Sequence, residues 1–169
     1  MDSNRNLGYA MLLGTALGLV AAAAPAIGAE PAAVPLAGMK EMKIAFDITD
    51  ANPKVLLSKL EVIDETRQSL LKQGVTPKIV LAFRGEASRF VQTDIDKIKP
   101  EDREAAAKVA AKVKALKAEP GVESIEQCSI PLRQREIAES KVIPEVKVVE
   151  NGWIALVSYQ ARGYAYIAP

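Results

Sequence analysis

Few side chains in this sequence can carry chemistry. Its 169 residues include no histidine and a single cysteine, Cys128. Cys128 closes a short alternating run within residues 121–135 (GVESIEQCSIPLRQR), and Arg133 and Arg135 follow within about two helical turns. Without imidazole, general-base chemistry lacks its commonest carrier. A thiol acts as a nucleophile only as its thiolate, and nearby guanidinium groups or the amides that open a helix favour that anion. Arg133, Arg84 and a helix opening at Pro131 are the candidates for that role. The competing reading of Cys128 is a small buried hydrophobe at a strand end, a common fate of free cysteine. Arg133 and Arg135 also have a plain alternative as exposed helix residues paired with Glu136 or Glu139, preferred for Arg135.

The composition excludes several function classes. One cysteine and no histidine cannot close an intramolecular disulfide or a four-ligand zinc site. Neither a Walker loop nor a GxGxxG fingerprint is present, so no metal and no cofactor are expected. A net charge of +1 and 5% aromatic residues offer neither a phosphate-neutralising surface nor base-stacking platforms, so no nucleic acid is expected.

The N-terminus reads as a targeting segment. Arg5 precedes the uncharged residues 7–29 (LGYAMLLGTALGLVAAAAPAIGA), with small residues suited to cleavage after Ala26 or Ala29. The run approaches the length of a membrane anchor. Pro25, the Ala/Gly-rich second half and the lack of a basic stop-transfer cluster favour cleavage instead. The expectation is a signal peptide over 1–29 and a periplasmic or secreted protein, with no membrane attachment after cleavage. Residues 30–40, rich in Pro and Ala, read as a flexible mature N-terminus, and 41–169 as one folded domain.

The elements that must position the thiol follow from periodicity. Alternation over 43–49 (KIAFDIT) predicts a strand. Asp50 or Asn52 then caps a helix from Pro53 to about Lys72, striped by Leu56, Leu60, Ile63 and Leu70 or Leu71 and stopped by Gly74. The continuous apolar run 78–83 (KIVLAF) predicts a central parallel strand. Residues 87–99 are ambiguous, and a helix is expected from Pro100 through Lys117 with Ala106, Val109, Ala110, Val113 and Leu116 buried. A strand over 122–127, a short helix over 131–138 and a brief strand over 146–149 come next. Asn151-Gly152 reads as a turn, 153–160 as helix or strand, and 164–167 as a last strand. Alternating strands and helices predict an α/β layered fold with a mostly parallel sheet. In such sheets the loops after the strand carboxyl ends gather where ligands bind. Residues 49–52, 84–86 and 128–133 are therefore expected to converge. Trp153, Tyr159, Tyr164 and Tyr166 are assigned to the core or a subunit interface, and Asp47 is left open between the rim and solvent.

Read together, these features resemble the DsrE/DsrF-like family of sulfur-relay proteins. The likeness rests on the Thr49-Asp50-Ala51-x-Pro53 turn, the apolar strand ending at Gly85, and Cys128 followed by Leu132 and Arg133. It continues through the tail IPEVKVVENGWIALVSYQARGYAYIAP and spans residues 43–169. The resemblance implies a flavodoxin-like three-layer sandwich, homo-oligomeric assembly, and a cysteine that carries sulfane sulfur as a persulfide. By position that cysteine is Cys128, with Arg133, Arg84, Gly85, Thr49 and Asp50 around the substrate and a sulfur donor or acceptor protein as partner. The alternative is a non-catalytic oligomeric module that uses the same rim to hold a small anion or a protein.

Overall fold

The computed structural model describes Leu36 and residues 38–169. The expected signal peptide and most of the expected N-terminal tail lie outside these residues. Leu36 is partly buried against the core, so the chain is already docked before the first strand. No helix among the described residues is long and apolar enough to cross a membrane.

The first strand, β1 (Glu41–Ile48), leads into α1 (Pro53–Lys72). Asn52 is the residue that caps α1, its Oδ1 accepting from the amides of Lys54 (2.9 Å) and Val55 (3.4 Å), while Pro53 fits the first turn, where no amide partner is needed. Gly74, at φ +76°, supplies the left-handed stop. Next come β2 (Thr76–Phe83), α2 (Arg103–Ala118), β3 (Val122–Cys128) and α3 (Ser129–Gln134). The chain finishes with β4 (Lys147–Val149), α4 (Gly152–Ala161) and β5 (Ala165–Ile167).

All strand pairs are parallel, in the order β4-β3-β2-β1-β5. The direction of the crossovers explains the layers. From β1 to β4 the chain moves steadily one way across the sheet, which puts α1 and α2 on one face. It then returns past β1 to place β5 on the far side, and this reversed, right-handed crossover sends α4 to the opposite face. The result is a three-layer α/β sandwich of flavodoxin-like type.

The two faces differ in character. On the α1/α2 side, Ile44, Phe46, Ile48, Ile79, Leu81 and Phe83 meet Leu56, Leu60, Val109 and Val113 in a continuous apolar core. On the α4 side the strands present Ala45, Asp47, Ala82 and Glu126, and Leu156 is the one large side chain of the helix buried against them, with Gly152 buried at the helix start. Small residues there let a single helix approach closely, and the charged ones leave room for polar chemistry.

Differences from the sequence reading are local. The ambiguous stretch, residues 87–99, is partly covered by 3₁₀ turns at Gly85–Phe90 and Ile95–Lys97, and a third at Pro100–Asp102 takes the place of the expected helix start, so the second long helix begins at Arg103. The short helix after Cys128 starts at Ser129 and ends at Gln134, because Glu136 adopts φ +53° and turns the chain out of helical conformation. Residues 153–160 resolve as helix, capped by Asn151. Leu70 rather than Leu71 is the buried member of the α1 stripe. Arg67 is also buried in that stripe, bonded to Asp64, Glu119 and the carbonyl of Pro120. Burial alone would push the Asp64 carboxyl up, but Lys112 and Arg67 outweigh it and hold the group below its ordinary range.

Candidate functional site

Strand register brings the site together. β2 and β3 pair up to Phe83↔Gln127, so the next residues, Arg84 and Cys128, emerge side by side at the carboxyl edge of the sheet. Cys128 in turn pairs with Val149 of β4, which delivers the Asn151-Gly152 turn above the thiol. A cleft of about 220 Å³ opens between these segments. Arg84 and Gly85 form one side, Ile130, Pro131 and Gln134 of α3 another, and Asn151 and Trp153 close it from the start of α4. Cys128 lines it while only 4% exposed.

Cys128 is held at its sulfur and at its backbone carbonyl. Its Sγ accepts a hydrogen bond from the backbone N–H of Gly152 at 3.1 Å. Gly152 is the first residue of α4, so the sulfur sits at the positive end of a ten-residue helix. Below, the buried Gln127 donates through Nε2 to the carbonyl of Cys128 (2.7 Å) and to Ser88 Oγ (2.8 Å), fixing the strand end. The sequence reading looked for helix amides opening at Pro131. The donor comes instead from a helix 24 residues further along the chain.

Gly152 has a steric reason to be glycine. A Cβ there would lie 2.7 Å from Arg84 Cδ, 2.9 Å from Arg84 Cγ and 3.0 Å from Cys128 Cβ. The α4 backbone can reach the sulfur only because that atom is missing.

Arg84 is committed within the fold. Its Nε donates to Asp47 Oδ1 at 2.7 Å and its Nη2 to Asp47 Oδ2, a two-pronged pair with Asp47 5% exposed. Tyr166 Oη adds a third bond to Asp47 Oδ2 at 2.7 Å, and this bond, with a smaller contribution from burial, pushes the phenol's pKa up. The Arg84 guanidinium also lies 5.5 Å from the centre of the Trp153 ring. Asp47 is therefore neither a solvent-facing residue nor a free ligand. It is the counter-ion that aims Arg84.

The other expected site residues divide. Gly85 lines the cleft, and Thr49 sits against it, 3.7 Å from where a Gly85 Cβ would be, without lining the cleft itself. Asp50 turns to Lys59 Nζ at 2.5 Å, tying the turn to α1. Arg133 is exposed and donates through Nη1 to Ser129 Oγ at 2.6 Å. Ser129 Oγ donates in turn to the carbonyl of Glu150 at 2.8 Å, so Arg133 supports the wall rather than facing the cleft. Arg135, read as a surface residue, is corrected. Its side chain is 15% exposed and pairs through Nη2 with Glu86, which also accepts from Arg89 Nε at 2.8 Å. The Arg135 bond and then the Arg89 bond hold the Glu86 carboxyl below its ordinary range.

Sequence reasoning missed Asn151, Gly152 and Trp153 as site residues. A signal was present: Asn-Gly followed by an apolar run is also a helix start, and a helix start offers free amides. Trp153 is 66% exposed at the lip, not in the core. Among the described residues no group of three or more acidic or cysteine side chains is placed to hold a metal ion.

Comparison with known proteins supports the fold. No family model matches the chain. A protein of Aquifex aeolicus (strain VF5), named only as uncharacterized, is 25% identical over 126 residues, covering 75% of this chain and 55% of that protein. This chain thus spans about half the length of the curated relative it matches. Among solved structures, the protein of unknown function MTH1491 from Methanobacterium thermoautotrophicum superimposes with a TM-score of 0.57 at 20% identity, over 76% of this chain and 99% of that one. The likeness supports the three-layer α/β architecture.

Proposed function

We propose that this chain is an exported, homo-oligomeric carrier of sulfane sulfur that holds a persulfide on Cys128. The observation that carries the reading is the placement of the sole cysteine at the floor of a small cleft, with a helix-opening N–H donated to its sulfur. That N–H and the α4 dipole interact more strongly as negative charge develops on sulfur, whether thiolate or terminal persulfide. With one cysteine in the sequence, no second thiol of the same chain is present to discharge a bound sulfur as a disulfide. Burial of Cys128 also works against a direct disulfide between chains. The resemblance to the sulfur-relay family and the apolar residues 7–29 support the sulfur and export parts of the reading. Assembly is supported by α4, whose outer face presents Trp153, Ile154 (68% exposed) and Val157 (64%), unusual exposure for large apolar side chains on one helix.

The test is mass spectrometry of the intact chain after incubation with polysulfide, or with thiosulfate and a sulfurtransferase. A gain of one sulfur atom on Cys128, abolished by Cys128→Ser and reversed by a reducing thiol, is the expected result. An unmodified Cys128 under all these conditions would overturn the proposal. Anion binding retained in Cys128→Ala would then favour the non-catalytic binding module.

A further inference from the structure

From the charges around the cleft we infer that its sulfur donor is a small, low-charge hydropersulfide, R–S–SH, and not a dianion such as thiosulfate. This rests on the reading of Cys128 as a sulfur carrier. Arg84 is the one cationic side chain that lines the cleft, and it is already matched by a buried carboxylate through two hydrogen bonds. Asp47 is in turn bonded by Tyr166, so the Arg84 charge is balanced by a carboxylate that the fold itself positions. Arg135 is paired with Glu86, and Arg133, which donates to the Ser129 hydroxyl behind the wall, does not line the cleft. The formal charge of the lining together with Asp47 is therefore zero.

The remaining walls are neutral: Ile130, Pro131 and the Trp153 ring are apolar, and Asn151 and Gln134 carry no charge. Taking a dianion from water into such surroundings costs heavily unless opposite charge meets it there. A singly charged sulfur needs less, and one backbone N–H from a helix start is in place to supply it. Size limits the donor to a small molecule of either charge: Cys128, 4% exposed at the floor of a cleft of about 220 Å³, is out of reach of a flat protein surface.

The transfer step balances without an added oxidant. The Cys128 thiolate attacks the terminal sulfur of R–S–SH, a new S–S bond forms to Cys128, and the donor S–S bond breaks. The electron pair leaves on R–S⁻, which takes up the proton that Cys128 gave up. The products are the Cys128 persulfide and R–SH. The anion carries a single charge throughout, whereas transfer from thiosulfate would have to expel sulfite, a second multiply charged anion.

The experiment compares loading of the full chain by cysteine hydropersulfide and by thiosulfate at equal concentration, followed by intact mass. The same pair of rates measured on N-acetylcysteine removes the intrinsic reactivity of the donors. The cleft should raise the hydropersulfide-to-thiosulfate ratio about tenfold over the free thiol, equivalent to ~1.4 kcal/mol of discrimination. Asp47→Asn, which frees the Arg84 charge, should pull that ratio back toward thiosulfate; if this variant fails to fold, the wild-type ratio alone decides. A ratio equal to or below that of the free thiol overturns the inference while leaving the carrier reading intact. Loading by neither donor overturns both.

Discussion

Replacing Gly152 with alanine tests the cleft without removing any polar group. The residue has no positive φ, so its backbone accepts a side chain, and the amide that donates to Cys128 Sγ is retained. What changes is space. The new methyl would lie 2.7 and 2.9 Å from the Arg84 stem and 3.0 Å from Cys128 Cβ, where ordinary carbon contacts need about 3.5–4.0 Å. Relief requires Arg84 to move, against its Asp47 pair and its contact with Trp153, or α4 to lift from the strand ends. Overpacking of this kind costs about 1–3 kcal/mol. Alanine returns at most ~1 kcal/mol through its better helix propensity, less at the first helical position than in the interior. The net expectation is a loss of about 1–2 kcal/mol, or a fall in Tm of roughly 3–8 °C for a domain of this size. A second readout separates this from general destabilisation. Under native conditions, alkylation of Cys128 by iodoacetamide should change at least about threefold, because the displaced groups are the ones that line its access. A variant with wild-type Tm and wild-type alkylation rate would refute the claim that Gly152 is the contact that shapes the cleft.

Acid should loosen the wall next to the cleft. The folded-state pKa of Glu86 is depressed by Arg135 and Arg89, so its contribution is present above the unfolded carboxylate value of about 4.3 and is lost as pH falls through the folded value. Urea midpoints measured from neutral pH downward should show a decline that is smaller in Glu86→Gln than in the wild type. On α4, Val157→Glu places a charge on the outer apolar face away from the thiol. Sedimentation velocity should show a lower oligomeric state for this variant with unchanged far-ultraviolet circular dichroism, and an unchanged sedimentation coefficient would rule this face out as the assembly surface.

The framework was legible because its signals are periodic. The α1 helix matches its expected bounds, since a proline start, an asparagine cap and a glycine stop punctuate a clean apolar stripe. The convergence of the loops after β2 and β3 followed from parallel pairing, and Gly85, Arg84 and Cys128 indeed share one cleft. The anion-holding role given to Arg133 was less legible. Spacing placed it near the thiol but could not show that Ser129, four residues earlier, takes its guanidinium. Arg84 was found while its partner was left open, because Asp47 looks like any polar position on an alternating strand until the sheet's second face is known. Gly152 was hidden for a related reason. Its importance comes from two atoms of a residue 68 positions earlier, and no local pattern encodes such an approach.

The strand order has a consequence for how the molecule is made. β1 acquires its second neighbour only when β5, more than 110 residues later, pairs Ile44 with Ala165 and Phe46 with Ile167. During synthesis, β1 can pair on one side with β2 and still present a row of unmatched amides and carbonyls on the other. Asp47 lies on this strand, and Tyr166, which bonds it, arrives with the last one. A nascent chain can therefore complete its α1/α2 core well before the thiol has its finished surroundings. Until the final strand emerges, the open edge is the place where an unfinished molecule is most exposed to pairing with the wrong chain.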